Sequence, residues 1–226
     1  MRTIKEIVED IVRKEHEIKT GELLERLEQL GYRKPARRTV RRYANNFRAS
    51  FQGEIVPQVP KILLLDLETA PIQALIWSLW QKYIDKSAIE KDVSILSFTA
   101  KWLFSPSLVS VTVTPEEAHE RHDGTIIGKL WELFDEADII VAHNGNKFDL
   151  RVANARFILN QYAPPMPYRT VDTYKVCAKQ FMFSSYKLDY LNKIFHLTRK
   201  AESSFQLWKD CVSGDPRRAV PAVCRP

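Results

Sequence analysis

Residues 61–72, KILLLDLETAPI, decide the fold class, because an apolar run ends there in two acids. Ile62 to Leu65 are apolar, Asp66 follows directly, and Glu68 lies two positions later. A short apolar run of this kind is typical of a β-strand that is buried on both faces. Residues two apart on a strand point to the same side, so the two carboxylates would project together. Two carboxylates held in this way repel each other unless a cation neutralises them. Alternatively, the strand has already ended, and both acids are simply in contact with water.

The chain beyond residue 60 alternates between strand and helix patterns. Strand patterns lie at 92–104, 108–114, 138–144 and 169–176, and helix patterns lie at 124–137, 147–162 and 186–197. This alternation predicts an α/β domain. We expect the strand of Asp66 to be central, antiparallel to the next two strands and parallel to the strand at 138–144.

The first 60 residues predict helices only. Apolar residues at helical spacing predict two helices within residues 4–30 and a third after Pro35. FQGEIVPQVP, residues 51–60, contains two prolines and a glycine and predicts a linker. We therefore expect a helical module at 1–50, a linker at 51–60 and the α/β domain at 61–226.

The third predicted helix is strongly basic. Residues 31–50 contain seven basic residues and no acidic one, next to aromatic side chains. Four of the basic residues lie off the apolar stripe and are expected to face outward: Arg37, Arg38, Arg41 and Arg42. Three short helices with a basic last one resemble a helix-turn-helix or winged-helix module that contacts nucleic acid. Two alternatives would show the same pattern. The basic face could simply be solvated, and the helices could form a bundle that docks another protein.

A third carboxylate follows another predicted strand. In VAHNGNKFD, residues 141–149, a polar turn leads from the strand to Asp149 in the first turn of a helix. An acid at that position could simply compensate the helix dipole. In an open α/β sheet, however, the carboxyl ends of neighbouring strands line one crevice, where Asp66, Glu68 and Asp149 would converge. Three carboxylates suit hard cations such as Mg²⁺ or Mn²⁺.

Composition excludes several classes of protein. The chain has 226 residues, a net charge of +6, 45% hydrophobic and 27% charged residues, which is ordinary for a soluble globular protein. Its three cysteines show no CxxC spacing, which favours free thiols in a reducing compartment over disulfides or a zinc site. The N-terminus does not resemble a signal peptide, and no apolar run approaches the ~20 residues of a membrane span. We expect a cytoplasmic protein with no membrane association.

Two motifs in this order resemble a known family. LDLET (65–69), followed some eighty residues later by HNGNKFD (143–149), is similar to the first two motifs of DEDD-type 3′–5′ exonucleases. These enzymes are the DnaQ-like branch of the ribonuclease H-like superfamily. Further stretches, SILSFTAKWL, VDTYKV and SSYKLDYLNKIFHL, look like a phage and bacterial subgroup of ribonuclease H-like or DNA-polymerase-exonuclease-like proteins. The resemblance covers roughly residues 61–215.

The resemblance implies a three-layer α/β fold of ribonuclease H-like type, built on a mixed sheet. It also implies a metal-dependent 3′–5′ exonuclease that acts on single-stranded nucleic-acid ends, DNA 3′ ends above all. It implies that Asp66, Glu68 and Asp149 are catalytic and hold two Mg²⁺ or Mn²⁺ ions, which activate a water and stabilise the leaving 3′ oxygen. Asn144 and Phe148 match positions that contact the terminal nucleotide. Two further residues match no ligand: Asp172 matches a structural acid, and His143 is expected to be a turn residue.

The third motif of the family is not matched. It places Y-x-x-x-D or H-x-x-x-x-D on a helix that supplies the fourth carboxylate and orients the water. Asp189 comes too early for this motif, and Asp210 and Asp215 have no Tyr or His at the required spacing. We therefore expect a domain that is truncated or frame-shifted at its C-terminus, with a poorly held second ion and little or no activity.

Two other interpretations stay open. One is a non-catalytic nucleic-acid-binding protein, in which the helical module sits on an inert ribonuclease H-like scaffold. The other is an unrelated α/β protein whose acids cluster by accident. A nuclease assay distinguishes an exonuclease from a non-catalytic nucleic-acid-binding protein. A divalent-ion titration distinguishes both of these from an unrelated α/β protein.

Overall fold

Three helices form the N-terminal part of the protein, whose computed structural model describes residues 3–32, 35, 37–51, 59–197, 204–215 and 217. They are α1 (Ile4–Lys14), α2 (Thr20–Gln29) and α3 (Arg37–Phe51). Helix α1 starts with a capping box, in which the side chains of Thr3 and Glu6 each accept the other's backbone N–H. The apolar stripes of the three helices meet in one core, which contains Ile4, Val8, Val12, Ile18, Leu23, Leu27, Val40 and Ala44.

Helix α3 holds the helical part against the α/β part. The guanidinium of Arg42 donates to the two carboxylate oxygens of Asp138, at 3.2 and 3.3 Å, and to the backbone oxygen of Glu136. Met166 joins the buried core of the helices. The prediction that Arg42 faces outward is therefore wrong, because the side of α3 next to its apolar stripe is covered as well.

The other basic residues predicted to face outward lie elsewhere on α3. Arg37 and Arg41 are exposed. The side chain of Arg38 lies outside the described part of the chain, as do residues 52–58 of the predicted linker. Among the described side chains, Arg37 and Arg41 therefore belong to the exposed basic surface of α3, and Arg42 does not.

A mixed sheet is the centre of the α/β part. The strands are β1 (Ile62–Thr69), β2 (Gln73–Ala74), β3 (Ile89–Lys91), β4 (Ile95–Trp102), β5 (Leu108–Thr112), β6 (Ile139–Ala142) and β7 (Arg169–Asp172). Five of them form a sheet in the order β5-β4-β1-β6-β7, while β2 pairs with β3. As predicted, β1 is central, antiparallel to β4 and parallel to β6. The prediction for β5 is wrong: it is antiparallel to β4 and so runs parallel to β1.

Burial alternates along β1. Leu63, Leu65 and Leu67 are buried, whereas Leu64 is half-buried and Asp66 is exposed. The expectation of a strand buried on both faces is therefore wrong, although both carboxylates follow the more exposed side as predicted. The sheet needs helices on the leucine side, and the apolar helices that follow in the sequence supply them.

Two helices cover the buried face of the sheet. The remaining helices of the described chain are α4 (Pro115–Glu120), α5 (Gly124–Glu136), α6 (Asp149–Leu159), α7 (Thr173–Gln180), α8 (Leu188–Ile194) and α9 (Phe205–Cys211). Helices α5 and α6 pack on β1, β4 and β6, and Phe134 meets Phe157 edge to face with 5.1 Å between ring centroids. The predicted mixed α/β fold is confirmed. Within the described ranges, no helix is long and apolar enough to cross a membrane.

Candidate active site

Two of the predicted acids lie at the carboxyl end of the central strand. Asp66 pairs in register with Thr99 of β4, and Glu68 pairs with Ser97, so polar side chains surround both carboxylates on this side of the sheet. The register shifts between Glu68 and Thr69, where the pairing becomes irregular. Such an irregularity ends the regular ladder and re-aims side chains next to it.

The third predicted acid meets these two across the start of α6. Asp149 is the first residue of α6 and is only 4% exposed. Its Oδ1 accepts the backbone N–H of Leu67 at 3.0 Å. Because Leu67 stands between Asp66 and Glu68, this hydrogen bond fixes Asp149 beside both acids. The sequence predicted this convergence but not the hydrogen bond, which depends on a backbone group.

The electrostatics of Asp149 reflect this position. Burial raises the pKa of its carboxyl from 3.8 to about 6. The hydrogen bonds from its own backbone N–H and from Leu67 N–H oppose the rise, while the negative charges of Asp66 and Glu68 add to it. The three acids are therefore close enough to influence one another, and a cation would relieve their repulsion.

The turn before α6 needs its particular residues. Gly145 is buried, and a Cβ on it would overlap the Cβ of Ala142. Asn144 adopts a left-handed conformation, with φ of 62°. Asp172 is buried and accepts four backbone N–H groups, from Asn144, Asn146, Tyr174 and Lys175, so it shapes the turn as a structural acid.

The remaining predicted residues of the HNGNKFD motif are spread around this turn. Phe148 precedes α6 and is 40% exposed, so its ring is accessible. Asn144 lies on the other side of Gly145 and is half-buried. Both ring nitrogens of His143 are engaged, Nδ1 with the Thr173 hydroxyl and Nε2 with the Tyr186 backbone oxygen, each at 2.9 Å. His143 therefore supports the turn.

Helix α9 approaches the same end of the sheet. Cys211 is buried in the core of the α/β part, and burial is the main reason that its pKa is raised. The charges of Asp210 and Glu68 add to that rise, so Cys211 on α9 lies within electrostatic reach of Glu68. Sequence reasoning missed the approach of α9 to Glu68, because α9 carries no family spacing. Asp189 is exposed in the first turn of α8.

The acids match the chemistry of a divalent cation. Carboxylate oxygens are the ligands that Mg²⁺ and Mn²⁺ prefer. Burial is the main cause of the raised pKa of Asp149, and the repulsion that Asp66 and Glu68 add to it is what a bound cation removes. Across the described ranges, however, no three His, Cys, Asp or Glu side chains are spaced to hold an ion as they stand. The side chains of Asp66, Glu68 and Asp149 would have to come closer together when an ion binds.

Comparison with known proteins shows to which family this chain belongs. A family model described as the RNase_H superfamily matches residues 108–223, which is more than half of the chain. Among solved structures, the family B DNA polymerase from the hyperthermophilic archaeon Pyrobaculum calidifontis is similar, with a TM-score of 0.48 and 15% sequence identity. The similarity covers 75% of this chain and 24% of that chain, so the protein spans about a quarter of the polymerase's length. No curated protein matches the sequence. The chain belongs to the RNase H superfamily.

Proposed function

We propose that the protein is a metal-dependent 3′–5′ exonuclease of the DEDD, DnaQ-like type, which hydrolyses phosphodiester bonds at single-stranded nucleic-acid ends. Membership of the RNase H superfamily supports a nuclease-type domain that binds nucleic acid and uses divalent ions. Asp66, Glu68 and Asp149 would hold Mg²⁺ or Mn²⁺, which supplies water activation and charge neutralisation at the phosphate. Asn144 and Phe148 would contact the terminal nucleotide.

One observation carries this proposal: the carboxylate of Asp149 is anchored on the backbone N–H of Leu67, between Asp66 and Glu68. A helix dipole alone would not need Asp149 to be buried against another strand. Ordinary structural acids are paired with a cation or a full set of donors, as Asp123 is with Arg156. Asp149 instead lies beside two like charges, an arrangement that costs free energy unless a ligand uses it.

The proposal is tested with a single-stranded oligonucleotide labelled at its 5′ end. We expect Mn²⁺-dependent shortening from the 3′ end, lost in Asp66→Ala and in EDTA. The rate should be slow, because the sequence matches only three of the four acids of the family and no group that orients the water. A chimaera that adds a Y-x-x-x-D helix from a related sequence should be faster.

The same assay distinguishes the alternatives. Binding of the oligonucleotide without any shortening, in Mg²⁺ and in Mn²⁺, would leave a non-catalytic nucleic-acid-binding protein. Robust activity that Asp210→Asn abolishes would assign the fourth acid to α9. Asp189→Asn is the matched control, since this acid is exposed in α8 and should have no effect.

The helical part is proposed to contact the nucleic acid as well. Arg37 and Arg41 are exposed on α3, and α3 is joined to the α/β part by the Arg42 contacts with Asp138. Phosphate contacts from such residues would position the substrate without reading its sequence. The proposed domain division stays at 1–50 for the helical module, 51–60 for the linker and 61–226 for the nuclease domain.

We expect Arg37→Gln combined with Arg41→Gln to weaken duplex DNA binding and to flatten its salt dependence. Each lost phosphate contact should reduce the slope of log affinity against log salt by roughly 0.9. Arg42→Gln is the contrasting variant: it should lower the free energy of unfolding by about 1 kcal/mol, because Asp138 loses its charged partner and keeps only the Lys61 N–H. Fluorescence anisotropy across a salt series measures the first effect, and urea unfolding measures the second. An unchanged slope in the double variant would favour protein docking by this module.

A further inference from the structure

The loop between β2 and β3 exposes a run of large side chains. All residues from 75 to 87, called the aromatic loop here, are exposed. Trp77 and Trp80 are exposed at 101% and 93%, and Tyr83 at 76%. A large aromatic side chain gains about 1.5–3 kcal/mol when it is buried, so three of them in water indicate a surface that binds something.

The aromatic loop is held in place at its base. Strands β2 and β3 pair at its two ends, and the N–H of Leu75 donates to the backbone oxygen of Ala88 at 2.9 Å. The guanidinium of Arg121 donates to the backbone oxygen of Pro71, just before β2, also at 2.9 Å. The exposed rings are therefore presented from a closed, anchored loop.

The aromatic loop also starts beside the candidate active site. The chain leaves β1 at Thr69, the end that carries Asp66 and Glu68, and enters the loop six residues later. The N–H of Ala70 donates to the backbone oxygen of Ser94, which keeps this exit next to the start of β4. The aromatic loop is therefore connected to the sheet at the end of β1 that carries the two carboxylates.

The charges on the aromatic loop favour an anionic partner. Lys82 and Lys86 are exposed, and the Lys82 ammonium lies 5.4 Å from the ring centroid of Tyr83. The carboxylate of Asp85 accepts the N–H and the hydroxyl of Ser87, which lowers its pKa. Asp85 therefore keeps its negative charge, and the loop carries two lysines against this one acid. Aromatic rings with interspersed lysines are the combination that binds single-stranded nucleic acid, through base stacking and phosphate contacts.

We propose that the aromatic loop is a stacking platform for single-stranded nucleic acid, with bases stacked on Trp77, Trp80 and Tyr83 and phosphates held by Lys82 and Lys86. This inference rests on the proposed function, since it concerns the strand whose end would reach Asp66, Glu68 and Asp149. Each exposed ring offers a face on which one base can stack. A protein partner would also bury Leu75 and Leu79, and a binding measurement with loop variants separates the two.

The experiment measures binding without hydrolysis. Labelled oligo-dT and oligo-rU of about fifteen nucleotides, within the span of known single-strand sites, are titrated in EDTA and followed by anisotropy. We expect Trp77→Ala and Trp80→Ala each to weaken binding about tenfold, with Trp77→Phe retaining most of the affinity. Lys82→Gln should instead reduce the salt slope by roughly 0.7. The two oligonucleotides show whether DNA or RNA is preferred.

Phe104→Ala is the matched control. Phe104 is also an exposed aromatic, at 80%, but it follows β4 at the opposite end of the sheet, where Trp102 pairs with Leu63. Its replacement should leave the affinity unchanged. Leu79→Ala, within the aromatic loop, removes apolar area but no ring. It should change the affinity for either oligonucleotide less than twofold.

Several outcomes overturn the inference. They are a parent protein that binds neither oligonucleotide, a Trp77→Ala, Trp80→Ala double variant that binds like the parent, and a parent dimer that this double variant converts to monomer. The last would make the loop a contact between two copies of the chain. The exonuclease proposal fails separately: if the tryptophan variants lose binding but no form shortens the oligonucleotide in Mn²⁺, the platform stands and the catalytic assignment falls.

Discussion

Replacing Asp149 with Asn is expected to stabilise the metal-free protein at pH 8 and to remove the stabilisation that Mn²⁺ gives the parent. Asn keeps an oxygen that can accept the Leu67 N–H, so the hydrogen bond at the start of α6 survives. It removes the buried negative charge that Asp66 and Glu68 repel. The gain in stability and the loss of ion binding therefore have the same cause.

The pH dependence follows from the raised pKa of Asp149. Its carboxyl has a folded pKa of about 6 against an ordinary value of 3.8, so the folded protein holds this proton more tightly than the unfolded chain. The stabilising contribution is fully present below pH ~4 and is lost as the pH rises through about 6, by at most about 3 kcal/mol. The amide of the Asp149→Asn variant does not titrate, so this variant should match the parent at pH 4 and exceed it at pH 8.

Thermal unfolding between pH 4 and pH 8, in EDTA and in Mn²⁺, measures both effects. For a chain of this size, 1 kcal/mol corresponds to roughly 2–4 °C in Tm. Mn²⁺ should raise the Tm of the parent, since binding to the folded state stabilises it, and should not raise that of Asp149→Asn or Asp66→Ala. Equal Mn²⁺ binding by either variant would show that the site is wrongly assigned. Asp189→Asn, an exposed acid in α8, should follow the parent throughout.

The strand pattern was sufficient to bring the three acids together. An apolar strand pattern that ends in Asp66 and Glu68 and another that leads into Asp149 are local features, and parallel neighbours in a sheet place such ends at one edge. The pairing of β1 with β6 bears out that geometry. The roles of these acids in catalysis stay predictions.

Packing between elements was harder to predict from the sequence. Helical periodicity identifies Arg42 as off the apolar stripe, but it cannot show that Asp138, nearly a hundred residues later, covers that side of α3. The same limit applies to β1. The first part of this strand is apolar on both sides, so the sequence could not show that one side is only half-buried. The direction of β5 relative to β1 was predicted wrongly. Strand β5 is antiparallel to β4, which is itself antiparallel to β1, so β5 runs in the same direction as β1.

The aromatic loop shows a different limit. Its composition, IQALIWSLW within residues 72–80, is that of a buried segment, and burial is the ordinary prediction for such residues. The structure leaves residues 75–80 exposed, in a loop that the pairing of β2 with β3 closes outside the main sheet. Apolar composition therefore indicates that a surface will be covered, but not by what.

Replacing Asp123 with Ala should cost about 3–5 kcal/mol of unfolding free energy, the largest loss that we expect from a single substitution. The side chain of Asp123 is fully buried and that of Arg156 is 17% exposed. The two carboxylate oxygens accept from Nε and Nη2 of Arg156, both at 2.6 Å, and one of them also accepts the N–H of Ile95. Alanine would leave a guanidinium and a backbone donor in the core without their acceptor.

A double-mutant cycle with Arg156→Ala separates the ion pair from the packing around it. If the buried charge causes the loss, adding Arg156→Ala to Asp123→Ala should cost little more, and the coupling should reach several kcal/mol. Urea unfolding gives the free energies. Glu132→Ala, which removes the exposed ion pair with Lys129, is the matched control and should stay within about 0.5 kcal/mol of the parent. Strictly additive losses would contradict the assignment.

This ion pair also connects to the candidate site. Asp123 precedes α5, Ile95 begins β4, and Arg156 lies on α6, seven residues after Asp149. Asp123 therefore fixes α6 against the sheet from the end opposite to Asp149. Loss of the pair should let α6 shift and lengthen the Leu67 hydrogen bond, so Asp123→Ala should weaken Mn²⁺ binding even under conditions where it remains folded. A variant that is less stable but binds Mn²⁺ like the parent would show that Asp149 is held by its own turn alone.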